Sequence, residues 1–252
     1  MKVKLLTHTK DPEKTVAAAA KLCYSKSDIS TLMDGLTDEK VSNFLEKLSN
    51  LGHASPLEHA SFTFGIEGVS RSFLAQISRH RIASFSVQSQ RYVDMDNADH
   101  VVPKEIYDAG YSAVRLYEES VKNSFNNYNE LKEELTKKYI AEGMKESPAK
   151  KKAQEDARYL LPEACCTRKI VTMNARELNH FFNLRCCNRA SREIREVAEE
   201  MLKLVYPVAP HLFKSAGPSC VCGACPEGNM SCGKAKEMRE KYNIIKNGEN
   251  NG

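Results

Sequence analysis

The sequence predicts an α+β fold, because segments with a two-residue apolar period and segments with a helical period alternate along the chain without a repeating unit. Two stretches carry the argument. Phe62, Phe64 and Ile66 recur at every second position, as in a half-buried strand, whereas Val41, Phe44, Leu45 and Leu48 fall on one stripe of a helix. With 252 residues, 41% of them hydrophobic, the chain can bury a sizeable core in one large domain or two closely packed ones.

Taken in order, Val3 and Leu5 alternate with lysines and read as the first strand. Asp11-Pro12 then opens an alanine-rich helix predicted to reach about Tyr24, with Asp11 as its cap. Thr37 caps a second helix that carries the Val41–Leu48 stripe, and Gly52 can stop it. After the strand around Phe64, Ser70 caps a short helix that ends at the basic triplet Arg79-His80-Arg81. From Ser84 to Val93 the period returns to two, which predicts a strand with Phe85, Val87, Ser89 and Arg91 on one face. Pro103 starts a long charged helical region to about Gly143, and a further helix is predicted from Pro148 to Leu161, ended by Pro162. Residues 103–161 thus read as a solvated helical elaboration. Arg168 to Met173 reads as a strand, Asn174 caps a helix to about Arg185, and Ser191 caps another to about Tyr206. After Phe213 Gly, Ser and Cys dominate, and Lys246 to Gly252 is expected to be disordered. The predicted organisation is a single α+β domain over 1–213 and a Cys-bearing extension over 214–252.

Lys plus Arg number 37 against 33 Asp plus Glu, and the resulting +4 is dispersed along the chain. That balance is too weak for a dedicated nucleic-acid binder and suits small anionic ligands better. The opening residues lack an apolar core of signal-peptide length, and no run approaches the ~18 apolar residues of a membrane span. A cytoplasmic protein with no membrane partner is expected, and there nine cysteines are thiols or metal ligands rather than bridges. Cys165-Cys166 and Cys186-Cys187 lie in apolar stretches and read as packing. Cys220, Cys222, Cys225 and Cys232 share a Gly-rich segment. Reduced surface thiols or an oxidisable pair are the ordinary reading of these four, and a structural zinc site is the alternative.

The triplet Arg79-His80-Arg81, with Ser89 and Arg91 close behind, concentrates mutually repelling cations, and a fold that does this usually offsets the cost with anionic ligands such as phosphates. A solvated basic turn is the alternative. Two further blocks stand in order around it: His53-Ala-Ser55-Pro-Leu-Glu58-His59 upstream, and Arg158-Tyr-Leu-Leu-Pro162 leading to Asn174-Ala-Arg176, His180 and Asn183-Leu-Arg185 downstream. With Arg-His-Arg, seven residues and Ser as the middle block, the chain from Met1 to Phe213 resembles the flavin-dependent thymidylate synthases.

That resemblance implies a mainly antiparallel sheet flanked by helices and a catalytic domain that methylates deoxyuridine monophosphate (dUMP) reductively to thymidine monophosphate. It implies FAD as the hydride donor, NADPH as reductant, methylenetetrahydrofolate as carbon donor, and a homotetramer whose active sites draw on several chains. It assigns dUMP to Ser89, Gln90 and Arg91, to Gln76 and Arg79, and to Arg158 and Arg185. It assigns FAD to Ser55, to Arg79, His80 and Arg81, and to Asn174, Arg176 and His180. His53 and Glu58 are candidates for the folate or flavin edge. Arg185 is the implied catalytic residue: a permanent positive charge beside the pyrimidine oxygens favours an electron-rich ring, so that no enzyme nucleophile is required. Its ordinary alternative is a helix-end charge favoured by the macrodipole. No Gly-x-Gly-x-x-Gly run is present, so the flavin would not sit on a dinucleotide fold. Val87 stands where many relatives carry Glu or Gln, which puts a side-chain contact there in doubt. At about 100° per residue, Arg176 and His180 should face away from Arg185, which suits a site at an interface between chains or a helix lying between two ligands. A nucleotide-binding regulator without turnover and a zinc-stabilised nucleic-acid binder are the competing function classes.

Overall fold

The computed structural model describes residues 1–50, 52–96 and 98–248, apart from the side chains of Ser49 and Asn50. Strand β1 (Lys2–His8) leads to helix α1 (Pro12–Leu22), two residues shorter than the sequence suggests. Asp11 does not cap it: this residue is left-handed at φ 46° with no side-chain cap bond, and its carbonyl instead accepts from Thr15 N–H at 2.9 Å. A short α2 (Ile29–Asp34), capped by Asp28 through the Thr31 N–H, carries too few residues for its periodicity to be legible. Then come α3 (Asp38–Asn50) and β2 (Ser61–Ser70). Ser70 caps α4 (Arg71–Ile77) by accepting from Phe73 N–H at 3.0 Å, as expected.

β3 (Ala83–Val87) is half the predicted length. The long charged region is broken by Gly110, at φ 97°, into α5 (Lys104–Asp108) and α6 (Tyr111–Ala141). α7 (Glu146–Ala157) starts before Pro148, which sits in the first turn where its missing N–H costs nothing, and a 3-10 turn follows at Arg158–Leu160. β4 (Cys166–Asn174), α8 (Ala175–Arg185) and α9 (Arg192–Val205) match the expected positions. Asn174 caps α8 by accepting from Glu177 N–H at 2.8 Å. α10 (Ala235–Asn247) overturns the expectation of disorder at Lys246 and Asn247, while the part of that expectation on residues 249–252 lies outside the described residues.

The four strands form one antiparallel sheet in the order β1-β2-β4-β3. The chain divides into two compact units, one of Met1–Lys2, Ile66–Ser78 and Ser86–Lys169, the other of Val3–Gly65, Arg79–Phe85 and Ile170 onward. In the first, Ala149, Ala153 and Ala157 recur every four residues along α7 and are fully buried, a smooth stripe that lets the helix approach α6 closely at Tyr139. Tyr139 also donates its hydroxyl to Asp156 at 2.5 Å. Met95, Tyr128, Ala157 and Cys165 make a second cluster. In the other unit Phe62 and Phe64 of β2 are wholly buried, and Phe213 stands edge-on to Phe62 and Phe182 at 5.3 and 6.0 Å. The apolar stripe of α9 (Ile194, Val197, Ala198, Met201, Leu202, Val205) is buried throughout. Met238 and Tyr242, one turn apart on α10, are buried as well, and the Tyr242 hydroxyl donates to the Cys186 carbonyl at 3.1 Å.

One buried cation in the first unit carries a stability cost. Lys169 on β4 is 4% exposed, with its amine 5.1 Å from the centre of the Phe73 ring, and burial together with the charge of Arg71 pushes it down to about 7. The unfolded chain holds that proton to an ordinary 10.5, so it binds more protons than the folded chain between the two values, and stability rises with pH across that window. Lys169→Met is therefore expected to raise the urea midpoint at pH 7. Its advantage over the natural protein should shrink by up to ~1.4 kcal/mol per pH unit towards pH 9; a difference that stays constant between these pH values contradicts the account.

Candidate active site

The basic triplet follows directly on α4, and its side chains alternate: Arg79 and Arg81 are exposed, while His80 between them is 4% exposed. His80 Nδ1 lies 2.8 Å from Glu177 Oε1, and Arg185 Nε–H donates to His80 Nε2 at 3.0 Å. Since the guanidinium can only donate, the Nε2 lone pair is the acceptor and the ring proton sits on Nδ1, directed at the carboxylate. Burial, with the charges of Arg185 and His180 in the same direction, outweighs the Glu177 hydrogen bond and holds the imidazole below its ordinary pKa, so it is neutral at pH 7. His80 packs edge-on to Phe181 at 5.0 Å and to His180 at 5.9 Å. Burial and the neighbouring Arg79 lower the pKa of Arg185, a strain that a bound anion would relieve.

His80 thus touches both Arg185 and His180, two residues that helical geometry alone sets far apart; one buried ring spans the difference. Arg176 turns elsewhere, to an ion pair with Glu58 in which both side chains are about half exposed. Ser55 and Glu58 stand on a 3-10 turn, Ser55–His59, which ends at β2. His53 and His180 line a cavity of about 310 Å³ together with Leu45, Leu48 and Leu57 and with Asn179 and Asn183. On its wall His211 is fixed from both ring nitrogens, by Glu13 at 2.9 Å and Ser42 at 2.7 Å.

The other unit holds a second set. β3 stops at Val87, so Ser89 and Arg91 do not continue the strand face of Phe85 and Val87 as expected: with Gln90 they form a turn in which Val93 N–H bonds the Ser89 carbonyl at 3.1 Å and Arg91 N–H bonds Ser89 Oγ at 3.2 Å. The turn is anchored to β4 by Gln88 N–H on the Arg168 carbonyl at 3.0 Å. Arg91 donates to Glu155 at 2.9 Å and lies over the Tyr92 ring at 5.8 Å, yet its Nε is buried without a hydrogen-bond partner. Gln76 is half-buried on α4, and Arg158 stands on the 3-10 turn after α7. Every residue assigned above to FAD therefore belongs to one unit, and those assigned to dUMP belong to the other except Arg79 and Arg185.

Glu177 and His211 were not expected from the sequence. Asn174 and Glu177 have the spacing of a helix-capping pair, which reads Glu177 as a local helix-start residue, and nothing around His211 marks it. Of the four tail cysteines Cys220 is buried, Cys225 half-buried, and Cys222 and Cys232 exposed. Arg239 organises their loop through the Cys220 and Gly223 carbonyls at 2.9 and 3.0 Å. Among the described residues no group of three or more His, Cys, Asp or Glu is placed to hold a metal ion. Burial raises the thiols of Cys165 and Cys220 and pushes that of Cys186 up to about 12, which keeps all three protonated and poorly nucleophilic at pH 7.

An arginine-bearing turn after the sheet's edge strand in one unit, and in the other a Glu177–His80–Arg185 chain whose Glu and His are buried, are features of an enzyme acting on anionic substrates. Residues 4–211 match the family described as thymidylate synthase complementing protein. The chain is 54% identical over 242 residues to a flavin-dependent thymidylate synthase of Clostridium tetani, covering 96% of this chain and 97% of that one. To one of Geobacter sulfurreducens it is 49% identical over 244 residues, covering 96% and 98%. In fold it resembles a flavin-dependent thymidylate synthase from Helicobacter pylori, solved complexed with FAD and dUMP, at a TM-score of 0.62 and 23% identity over 86% of this chain and all of that one. The chain belongs to the flavin-dependent thymidylate synthase family. Among the described residues no helix is long and apolar enough to cross a membrane.

Proposed function

We propose that the chain methylates dUMP reductively to thymidine monophosphate, with Arg185 polarising the pyrimidine and no enzyme nucleophile. The observation that carries this reading is the fixed guanidinium of Arg185, held through Nε by His80 and flanked by Arg79. A fixed cation on which the charge of Arg79 also acts favours an anionic ring, and an electron-rich C5 follows from that. The raised thiols support the absence of a covalent cysteine adduct.

The donor sets fit their ligands chemically. The orphaned, buried Arg91 Nε, on a turn in which Ser89 Oγ accepts from the Arg91 backbone N–H, supports the assignment of the phosphate to Ser89, Gln90 and Arg91, with Gln76 and Arg158 as further nucleotide contacts. Arg79, Arg81 and Arg176 would hold the pyrophosphate or the anionic reduced flavin, with His80, Ser55, Asn174 and His180 beside them. The exposed Glu58–Arg176 pair is worth only ~0–1 kcal/mol, so Arg176 can exchange its carboxylate for a phosphate at little cost. His53 and Glu58 are proposed for the folate or flavin edge. Bound FAD supplies the hydride, NADPH restores it and methylenetetrahydrofolate brings the carbon.

The catalytic domain is assigned to residues 1–213, a range supported by the family match to 4–211, and 214–252 to an extension. A homotetramer with shared active sites, acting on small molecules rather than nucleic acid, completes the reading, and a cytoplasmic setting suits nine free thiols. The purified protein is expected to be yellow, to bleach with NADPH and to form thymidylate only when dUMP and methylenetetrahydrofolate are both present. A colourless protein that still binds dUMP would point to a regulator instead.

A further inference from the structure

We propose that Glu177 is a positioning residue for Arg185, acting through His80: the carboxylate holds the ring proton on Nδ1, which leaves the Nε2 lone pair to fix the guanidinium. The inference rests on the assignment of Arg185 to the pyrimidine and adds what holds that residue in place.

The geometry separates Glu177 from its capping neighbours. A helix-start carboxylate ordinarily lies in water and reaches back to the cap residue's N–H. Glu177 is only 7% exposed, and its carboxylate faces the His80 ring at 2.8 Å. Burying a carboxylate is costly unless it is hydrogen-bonded, so a fold that places one against a buried imidazole gains a single defined tautomer. Without that acceptor the imidazole can carry its proton on Nε2, where it meets the Arg185 Nε–H donor to donor. Holding Arg185 through Nε fixes the plane of its fork, and two-point recognition of a planar partner depends on that plane.

The charged and titratable groups that face His80 are Glu177, His180 and Arg185, all on α8, and Arg79 acts in turn on Arg185. Of these Glu177 alone favours the protonated ring, in which Nε2 can no longer accept. Loss of the carboxylate should therefore move the acid limb of kcat to lower pH, in addition to lowering its height.

The test uses the flavin-loaded enzyme. Glu177→Leu is expected to keep flavin and dUMP affinity while kcat falls about 10- to 100-fold, the range seen when groups that orient a functional side chain are removed. Glu177→Gln, which retains an acceptor oxygen, is expected to recover most of kcat with the acid limb displaced to lower pH. Full kcat and an unmoved acid limb in both variants overturn the proposal. Should Glu177→Leu fail to retain flavin, an unmoved limb in Glu177→Gln overturns it alone. An active Arg185→Ala would instead sink the assignment of Arg185, so the two failures are told apart.

Discussion

Arg185→Ala is expected to leave flavin bound and to lower thymidylate formation by about 10²- to 10³-fold, the cost of removing one preorganised charge from a developing anion, or roughly 3–4 kcal/mol of barrier. The loss should fall on kcat more than on the KM for dUMP, because the phosphate end of the nucleotide is assigned to the turn at Ser89–Arg91 rather than to α8. Arg185→Lys restores the charge but neither the planar fork nor the geometry of the Nε–H that donates to His80, so it should recover only part of the rate. Steady-state rates of the two variants, beside their flavin spectra, check this; wild-type turnover in Arg185→Ala removes the residue from the mechanism.

Tyr242→Ala is expected to destabilise the protein by about 3–5 kcal/mol, the usual cost of deleting a buried aromatic ring. Tyr242 is wholly buried, and its single hydroxyl proton is within reach of two acceptors, the Cys186 carbonyl at the end of the helix that carries Arg185 and the Glu199 carboxylate, each 3.1 Å from the oxygen. Tyr242→Phe keeps the ring and should cost only about 1 kcal/mol. Denaturant unfolding of the three proteins separates ring from hydroxyl. A loss below about 1 kcal/mol for Tyr242→Ala would mean that α10 adds little to the fold.

Where local period and capping chemistry decide a structure, the residues announce it: Phe62, Phe64 and Ile66 lie buried on one face of β2, and Ser70 and Asn174 cap the helices assigned to them. β3 was overextended because Ser-Val-Gln-Ser-Gln-Arg keeps an alternating look while Ser89 bends the chain with local hydrogen bonds that periodicity does not register. α10 escaped notice for the opposite reason. Among its lysines and glutamates only Met238 and Tyr242 are buried, and two anchors one turn apart do not make a visible stripe.

At the site, ordered motifs singled out Arg79-His80-Arg81 and Arg185, but not their arrangement. The partner of His80 lies 97 residues further along, at a position whose local pattern already has a sufficient explanation as a helix start. Tertiary hydrogen bonds of that separation leave no mark on neighbouring residues, so only folding reveals which carboxylate an imidazole will meet.

The pairing of Arg176 with Glu58 bears on how the enzyme responds to ionic strength. Dissolved ions weaken an arginine's hold on a cofactor phosphate, but they weaken its rival bond to a surface glutamate as well. With Arg176 on the flavin phosphates, as proposed, the two losses partly cancel, and flavin retention is expected to fall with salt less steeply than a simple tally of guanidinium contacts would give.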